Sequence, residues 1–316
     1  MTMAKQRLTF RSRQEWLEAR TQGIGASEVG TIIGLNPFET PYQLWRRKLG
    51  MDAPQPESVA MRDGHFLEGA VADYFGSVTG AHIMKNSVDD FMFVRPDKPF
   101  IRVSPDRLYW DEGAKHSETT KCVLECKSTN RNIDGDDLPK HWFVQLQMNM
   151  GVGEYESGAI AWFCKLKGTF GHKYIDFDPD FYGWLCEEVE RFWVDNILGK
   201  KEPDAVSAAD VVAKYTTHTE GKTVEVSDTV FEAYASLCEL KRDMGELENR
   251  KEDLEATLKM AFGDAESITY GGDTLATWKA PKPSKSFDKD LFKAENPELY
   301  AKYCIERQGA RRFLLK

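Results

Sequence analysis

Between residues 91 and 127 the apolar side chains abandon helical spacing and fall into short alternating runs, at 91–94, 101–103, 108–110 and 122–127. Period two is the mark of a half-buried strand, and four such runs in succession require a sheet. The flanks keep the other period. Apolar residues at 67, 70, 71, 74 and 75 make a helical stripe over 61–75, and a helix is expected over 139–150. Strands at 157–165 and 171–177 and an aromatic-rich helix over 179–198 complete the pattern. The expectation is an α/β (α+β) domain over residues 1–200, a mixed central sheet flanked by helices.

Ahead of the sheet, residues 11–20 resemble a helix with Trp16 and Leu17 inward. Ser27 is placed to cap a helix over 28–33 that Gly34 stops, and Thr40-Pro41 opens another that ends at Gly50. Residues 201–229 are a poorly patterned connection. Then Val230, Ala233, Leu237, Leu240, Met244, Leu247, Lys251, Leu254, Leu258 and Ala261 occupy successive a and d heptad positions, a long coiled-coil-like helix over 230–262. Such a stripe suits a helix packed on its own chain and an inter-chain coiled coil equally. Residues 263–316 form a small β/α element: a hairpin turning at Tyr270-Gly271-Gly272-Asp273, and a last strand at 311–315.

The chemistry concentrates on the strand at 122–127. Side chains alternate along it, so Cys122, Leu124 and Cys126 form a core stripe while Glu125 and Lys127 share the other face. If the runs at 108–110 and 122–127 pair as a hairpin, Asp106 lies opposite Glu125. Two carboxylates and a lysine then converge. Hard oxygen ligands hold Mg²⁺ while leaving waters on it, and the ion polarises a phosphoryl group and acidifies water. A neighbouring lysine orients water and stabilises the charge that develops on phosphorus. An isolated Asp with Glu-x-Lys is more often a surface salt bridge, so context decides.

Other chemistries lack their patterns. The six histidines show no HxH, HExxH or HxxxH spacing, the six cysteines contain no CxxC pair, and GxxxxGK[ST] is absent. A net charge of −9 argues against a nucleic-acid partner only on average, because residues 1–50 carry eight Lys/Arg against four Asp/Glu. Trp142 and Trp162 have the chemistry to stack on bases, though core packing is the commoner use. No apolar run reaches membrane length, and free-cysteine usage suits a cytoplasmic location.

Several motifs, in order, supply the context. They are Gly23-Ile24-Gly25-Ala26-Ser27-Glu28, Gly34-Leu35-Asn36-Pro37-Phe38, Thr40-Pro41-Tyr42-Gln43-Leu44-Trp45 and Gly64-His65-Phe66-Leu67-Glu68. Ser104-Pro105-Asp106, Glu125-Cys126-Lys127 and Gln145-Leu146-Gln147-Met148-Asn149-Met150 follow. Over residues 20–165 the chain resembles the lambda-exonuclease and YqaJ-type viral recombinase family, within the PD-(D/E)xK nucleases. The resemblance implies a restriction-endonuclease-like core. Asp106, Glu125, Glu68 and the Cys126 carbonyl would be ligands to Mg²⁺, or to Mn²⁺ in its place, and Lys127 the catalytic lysine. Gln147, and with less weight Gln145, would border the site, and Arg20 and Ser27 would hold a terminal phosphate. It further implies a 5′→3′ exonuclease on double-stranded DNA, a single-strand annealing partner and a ring-shaped homotrimer. A structure-specific endonuclease and a non-cleaving recombination accessory are the alternatives.

Overall fold

The computed structural model describes residues 5–53, 58–84, 91–134, 137–305 and 309–315. The chain divides into two compact units, Met1–Lys214 and Tyr215–Lys316.

In the first unit the strands form two sheets where one was expected. The smaller has the order β1 (Gln6–Thr9), β4 (Phe91–Arg95), β5 (Lys98–Val103), β2 (Ile24–Gly25). The larger runs β3 (His82–Ile83), β6 (Arg107–Trp110), β7 (Cys122–Thr129), β8 (Ser157–Cys164), β9 (Thr169–Asp176). Their division falls at Ser104-Pro105, between β5 and β6. Pro105 has no N–H to give a ladder, so the chain leaves one sheet there and enters the other. Both sheets are mixed: β7–β8 and β2–β5 are parallel, the remaining pairs antiparallel.

Helix starts follow local chemistry. Ser12 caps α1 (Arg13–Thr21) and Thr40 caps α3 (Pro41–Lys48), each hydroxyl accepting from a backbone N–H at 3.2 Å. Between them lies α2 (Ala26–Ile32), capped by Gly25, so Ser27 sits inside the first turn and is not the cap. Trp16 is buried, whereas Leu17 is exposed because α1 turns only one narrow face inward. Further on, α4 (Val59–Thr79) starts at Ser58 and stops at Gly80, whose φ of +70° favours glycine. The crossover from β7 to β8 is α5 (Lys140–Gly153), and α6 (Pro179–Arg191) winds on through a π-helical turn over Phe192–Leu198.

The unit extends beyond residue 200 because α7 (Ala208–Lys214) is tied into it. Buried Asp210 accepts hydrogen bonds from Thr40 Oγ1 (3.0 Å) and Gln43 Nε2 (2.9 Å), and from the backbone N–H groups of Val206 and Ser207.

Strand β7 lies at the centre, covered on both faces. Val123 joins the main core with Leu146 and Met150 of α5, while Cys122, Leu124 and Cys126 join a second core with Val71, Ala72 and Phe75 of α4. The face carrying Glu125 is therefore apolar at Val123 and polar only toward its Lys127 end. Trp142 and Trp162 are buried in the main core, and four of the six cysteines are buried with no disulfide. At Gly158 of β8 a Cβ would stand 2.8 Å from the Val123 carbonyl oxygen. Gly158→Val should therefore lower the unfolding free energy of this unit by about 1–3 kcal/mol through overpacking. Denaturant midpoints measure the change, and an unchanged midpoint would show that β7 and β8 have slack at this position.

The second unit contains α8 (Asp228–Phe262), the hairpin β10 (Ser267–Tyr270) and β11 (Asp273–Thr277), and two short helices, α9 (Lys289–Glu295) and α10 (Pro297–Tyr303). Gly271 and Gly272 take φ of +62° and +93°, as a two-residue hairpin turn demands. The strand expected at 311–315 is not formed. Phe313 and Leu314 are consecutive apolar residues, both exposed, and lack the alternation a half-buried edge strand needs.

Candidate active site

The register of β6 on β7 pairs Arg107 with Leu124, which brings Asp106, just before β6, to the Glu125 position. The Asp106 carboxylate accepts the backbone N–H of Cys126 through Oδ2 at 2.8 Å, fixing it against β7. Lys127 Nζ lies 2.6 Å from Glu125 Oε1, so the expected convergence of two carboxylates and a lysine is present. Glu68 comes to the same place from α4, held by Arg107, whose Nη1 also donates to the Asp106 carbonyl at 2.6 Å.

Helix α5 supplies the far wall. Gln145 accepts from Lys127 Nζ through Oε1 at 2.9 Å and donates its amide to Glu125. One turn on, Asn149 Nδ2 donates to Glu125 Oε2 at 2.9 Å. Gln147 points elsewhere. Its amide bridges the Asp176 carbonyl (2.8 Å) and the Asp178 N–H (2.9 Å), pinning the junction of β9 and α6. Residues two apart on a helix face opposite sides, so Gln145 and Gln147 could not both border the site. The i, i+4 pair Gln145/Asn149 was the signal to follow. Arg107 and Asn149 belong to the site and were not singled out from the sequence.

The electrostatics are those of crowded acids. Glu125 is fully buried, and burial, followed by the charge of Asp106, pushes its carboxyl up to about 8. Burial and then Asp106 raise Glu68 as well, against the opposing pull of Arg107. Burial works to lower Lys127, but Glu125 and Asp106 outweigh it, so its pKa rises and the ammonium persists. Burial drives the Cys126 thiol far up, which keeps it neutral. The side-chain amide oxygen of Asn149 is buried and has no hydrogen-bond partner.

Arg20 and Ser27 form a second cluster, with Arg20 Nη2 donating to Ser27 Oγ at 3.0 Å. Beside them Glu28 is buried, its carboxylate accepting from Gly25 N (2.8 Å) and Arg47 Nη1 (3.0 Å) and pairing with Lys48 Nζ (2.7 Å). Burial would raise the Glu28 pKa, but Lys48, Arg20 and Arg47 together lower it. Glu28 therefore takes up the Gly25 N–H, and Arg20 and Ser27 are joined by their own hydrogen bond beside it.

The YqaJ-like viral recombinase domain matches residues 15–156, which contain every residue of both clusters. The uncharacterized protein YqaJ of Bacillus subtilis (strain 168) is 31% identical over 320 residues, 96% of this chain and 94% of its own. This chain belongs to the YqaJ-like viral recombinase family. It is also similar to the alkaline exonuclease LHK-Exo from Laribacter hongkongensis in complex with dAMP, at 18% identity and a TM-score of 0.48, over 59% of this chain and 93% of that one. A phage-related exonuclease from Haemophilus somnus 129PT gives 13% identity and a TM-score of 0.39, over 56% and 96% of the two chains.

Asp106, Glu125 and Glu68 all present hard oxygen donors, the kind a divalent cation such as Mg²⁺ takes, and burial, then the charge of Asp106, raises both glutamates. Among the described residues no group of three or more His, Cys, Asp or Glu side chains is placed to hold a metal ion. No helix among the described residues is long and apolar enough to cross a membrane.

Proposed function

We propose that this protein is a metal-dependent deoxyribonuclease that digests double-stranded DNA from 5′ ends and leaves 3′ single strands for recombination. The observation that carries the reading is the convergence of Asp106, Glu125 and Lys127 at one end of β7. Asp106, Glu125, the Cys126 carbonyl and Glu68 would hold Mg²⁺, with Mn²⁺ able to substitute. The ion supplies Lewis-acid polarisation of the phosphate and a more acidic water. The protein's own residues do the rest. Lys127 holds the attacking water and pairs with charge developing on the phosphate oxygens. Gln145 aims Lys127, and Arg107 keeps Glu68 facing the other carboxylates.

In this reading Arg20 and Ser27 receive the 5′-phosphate. A guanidinium pairs with a phosphate dianion and gains far less from a hydroxyl. A charge-assisted contact contributes about 1.5–3 kcal/mol, so 5′-phosphorylated duplex should be digested about 10- to 150-fold faster than 5′-hydroxyl duplex. Arg20→Ala should erase most of that difference. Linear duplexes labelled at either the 5′ or the 3′ end, run beside a closed circle, test the polarity. Release from 5′ ends alone is expected. Cutting of the closed circle would make the protein an endonuclease on the same core, and equal treatment of 5′-phosphate and 5′-hydroxyl would remove Arg20 from the site. The 3′ strands produced are the substrate a single-strand annealing protein needs, which makes such a protein the partner and the host cytoplasm the setting.

A further inference from the structure

Helix α8 spans 35 residues, and Phe262 is the one that is buried. Its heptad stripe is open over most of its length, with Leu237 half-buried and Leu240 58%, Leu247 64% and Leu254 59% exposed. A stripe of this length left in water needs a partner, and the charges beside it say which.

We infer that α8 pairs with α8 of a second copy of this chain as an antiparallel coiled coil in full overlap. With Val230 and Ala261 at opposite ends, full antiparallel overlap sets each a residue against a d residue of the partner. Met244 meets the partner's Leu247, Leu237 meets the partner's Leu254, and each terminal alanine meets Val230 or Leu258. The flanking charges then match. Lys241 faces the partner's Glu248 along one edge, Asp243 faces the partner's Arg250 along the other, and two-fold symmetry repeats both pairs.

The competing arrangements are opposed by the same residues. Sliding one heptad in one direction sets Lys241 on the partner's Lys241 and Asp243 on the partner's Asp243. Sliding the other way sets Glu248 on the partner's Glu248 and Arg250 on the partner's Arg250. A parallel pair would stack Lys251 on the partner's Lys251 inside the seam and bring Asp243 against the partner's Glu248. In the antiparallel pair Lys251 instead lies beside the partner's Leu240, and its ammonium already reaches outward to Glu248 of its own helix at 2.6 Å.

Cysteine cross-linking of the full chain tests this, with Cys238→Ser and Cys304→Ser removing the thiols that are not buried. Leu240→Cys and Lys251→Cys chains mixed under mild oxidation should form a disulfide-linked dimer, while neither should cross-link with itself. Self-linking of either chain would mean a parallel pair. The absence of any link in the mixture would mean that the stripe packs on its own chain or on a different protein. Either result overturns the proposal. Adding Lys241→Glu to both chains should slow cross-linking at limiting concentration about tenfold, and adding Glu248→Lys as well should restore it. Equal rates in all three backgrounds would overturn the register.

Discussion

Lys127→Ala should slow cleavage of saturating duplex by about 10²- to 10⁴-fold, the range that a positioned proton-transfer or charge-stabilising group contributes. Metal and DNA binding should survive. The Lys127 ammonium lies 2.6 Å from Glu125, so its removal deletes a positive charge that competes with a cation for the same carboxylate. Magnesium affinity in the variant should therefore equal or exceed that of the wild type, and Glu125 keeps its bonds from Gln145 and Asn149. A rate above about a tenth of wild type, a loss under roughly 1.4 kcal/mol, would take Lys127 out of the mechanism. Loss of metal binding along with activity would make Lys127 a structural residue instead.

Asp106→Asn should be at least as damaging, and by a different route. An asparagine Oδ1 can still accept the Cys126 N–H at the 2.8 Å contact, so the fold is kept while one carboxylate charge of the proposed ligand set disappears. Losing a charge-assisted ligand should weaken Mg²⁺ or Mn²⁺ binding about 10- to 150-fold and the cleavage rate by 10²-fold or more. Stability should move the opposite way. The Asp106 charge helps push Glu125 up, so removing it lets Glu125 ionise more readily and relieves like-charge crowding. In EDTA the melting temperature of the variant should match or exceed that of the wild type, and adding Mg²⁺ should stabilise the wild type more. Calorimetric titration and thermal melts read both effects. A variant that binds metal as well as the wild type would remove Asp106 from the ligand set.

Much of this site was legible because strand chemistry is periodic. Alternation alone put Glu125 and Lys127 on one face of β7, and the hairpin argument put Asp106 opposite Glu125, as the Arg107–Leu124 register shows. What escaped was information carried by elements that meet from a distance. Arg107 looks like one more strand residue until Glu68 arrives from α4 to pair with it. Gln147 matched a family motif, but the rotation of α5 assigned its amide to the β9–α6 junction and turned Gln145 and Asn149 toward Glu125.

The fold followed the same division. Long periodic helices such as α4 and α8 were readable from their stripes. The edge strand β1 was missed because Gln6–Thr9 shows no apolar alternation, and β2 because it is two residues long. The split into two sheets hinged on Pro105, whose missing N–H matters only once its neighbours in the ladder are known. The domain boundary moved to Lys214 because Asp210, in a stretch without hydrophobic pattern, is held by Thr40 and Gln43.

Metal-dependent phosphodiester cleavage at Asp106, Glu125 and Lys127, as proposed, is measured directly by nucleotide release from linear duplex DNA. Wild-type protein in Mg²⁺ should release nucleotides, EDTA should stop the release, and fresh Mg²⁺ or Mn²⁺ should restore it. Undiminished release in EDTA, or no release from any duplex in either metal, would contradict it.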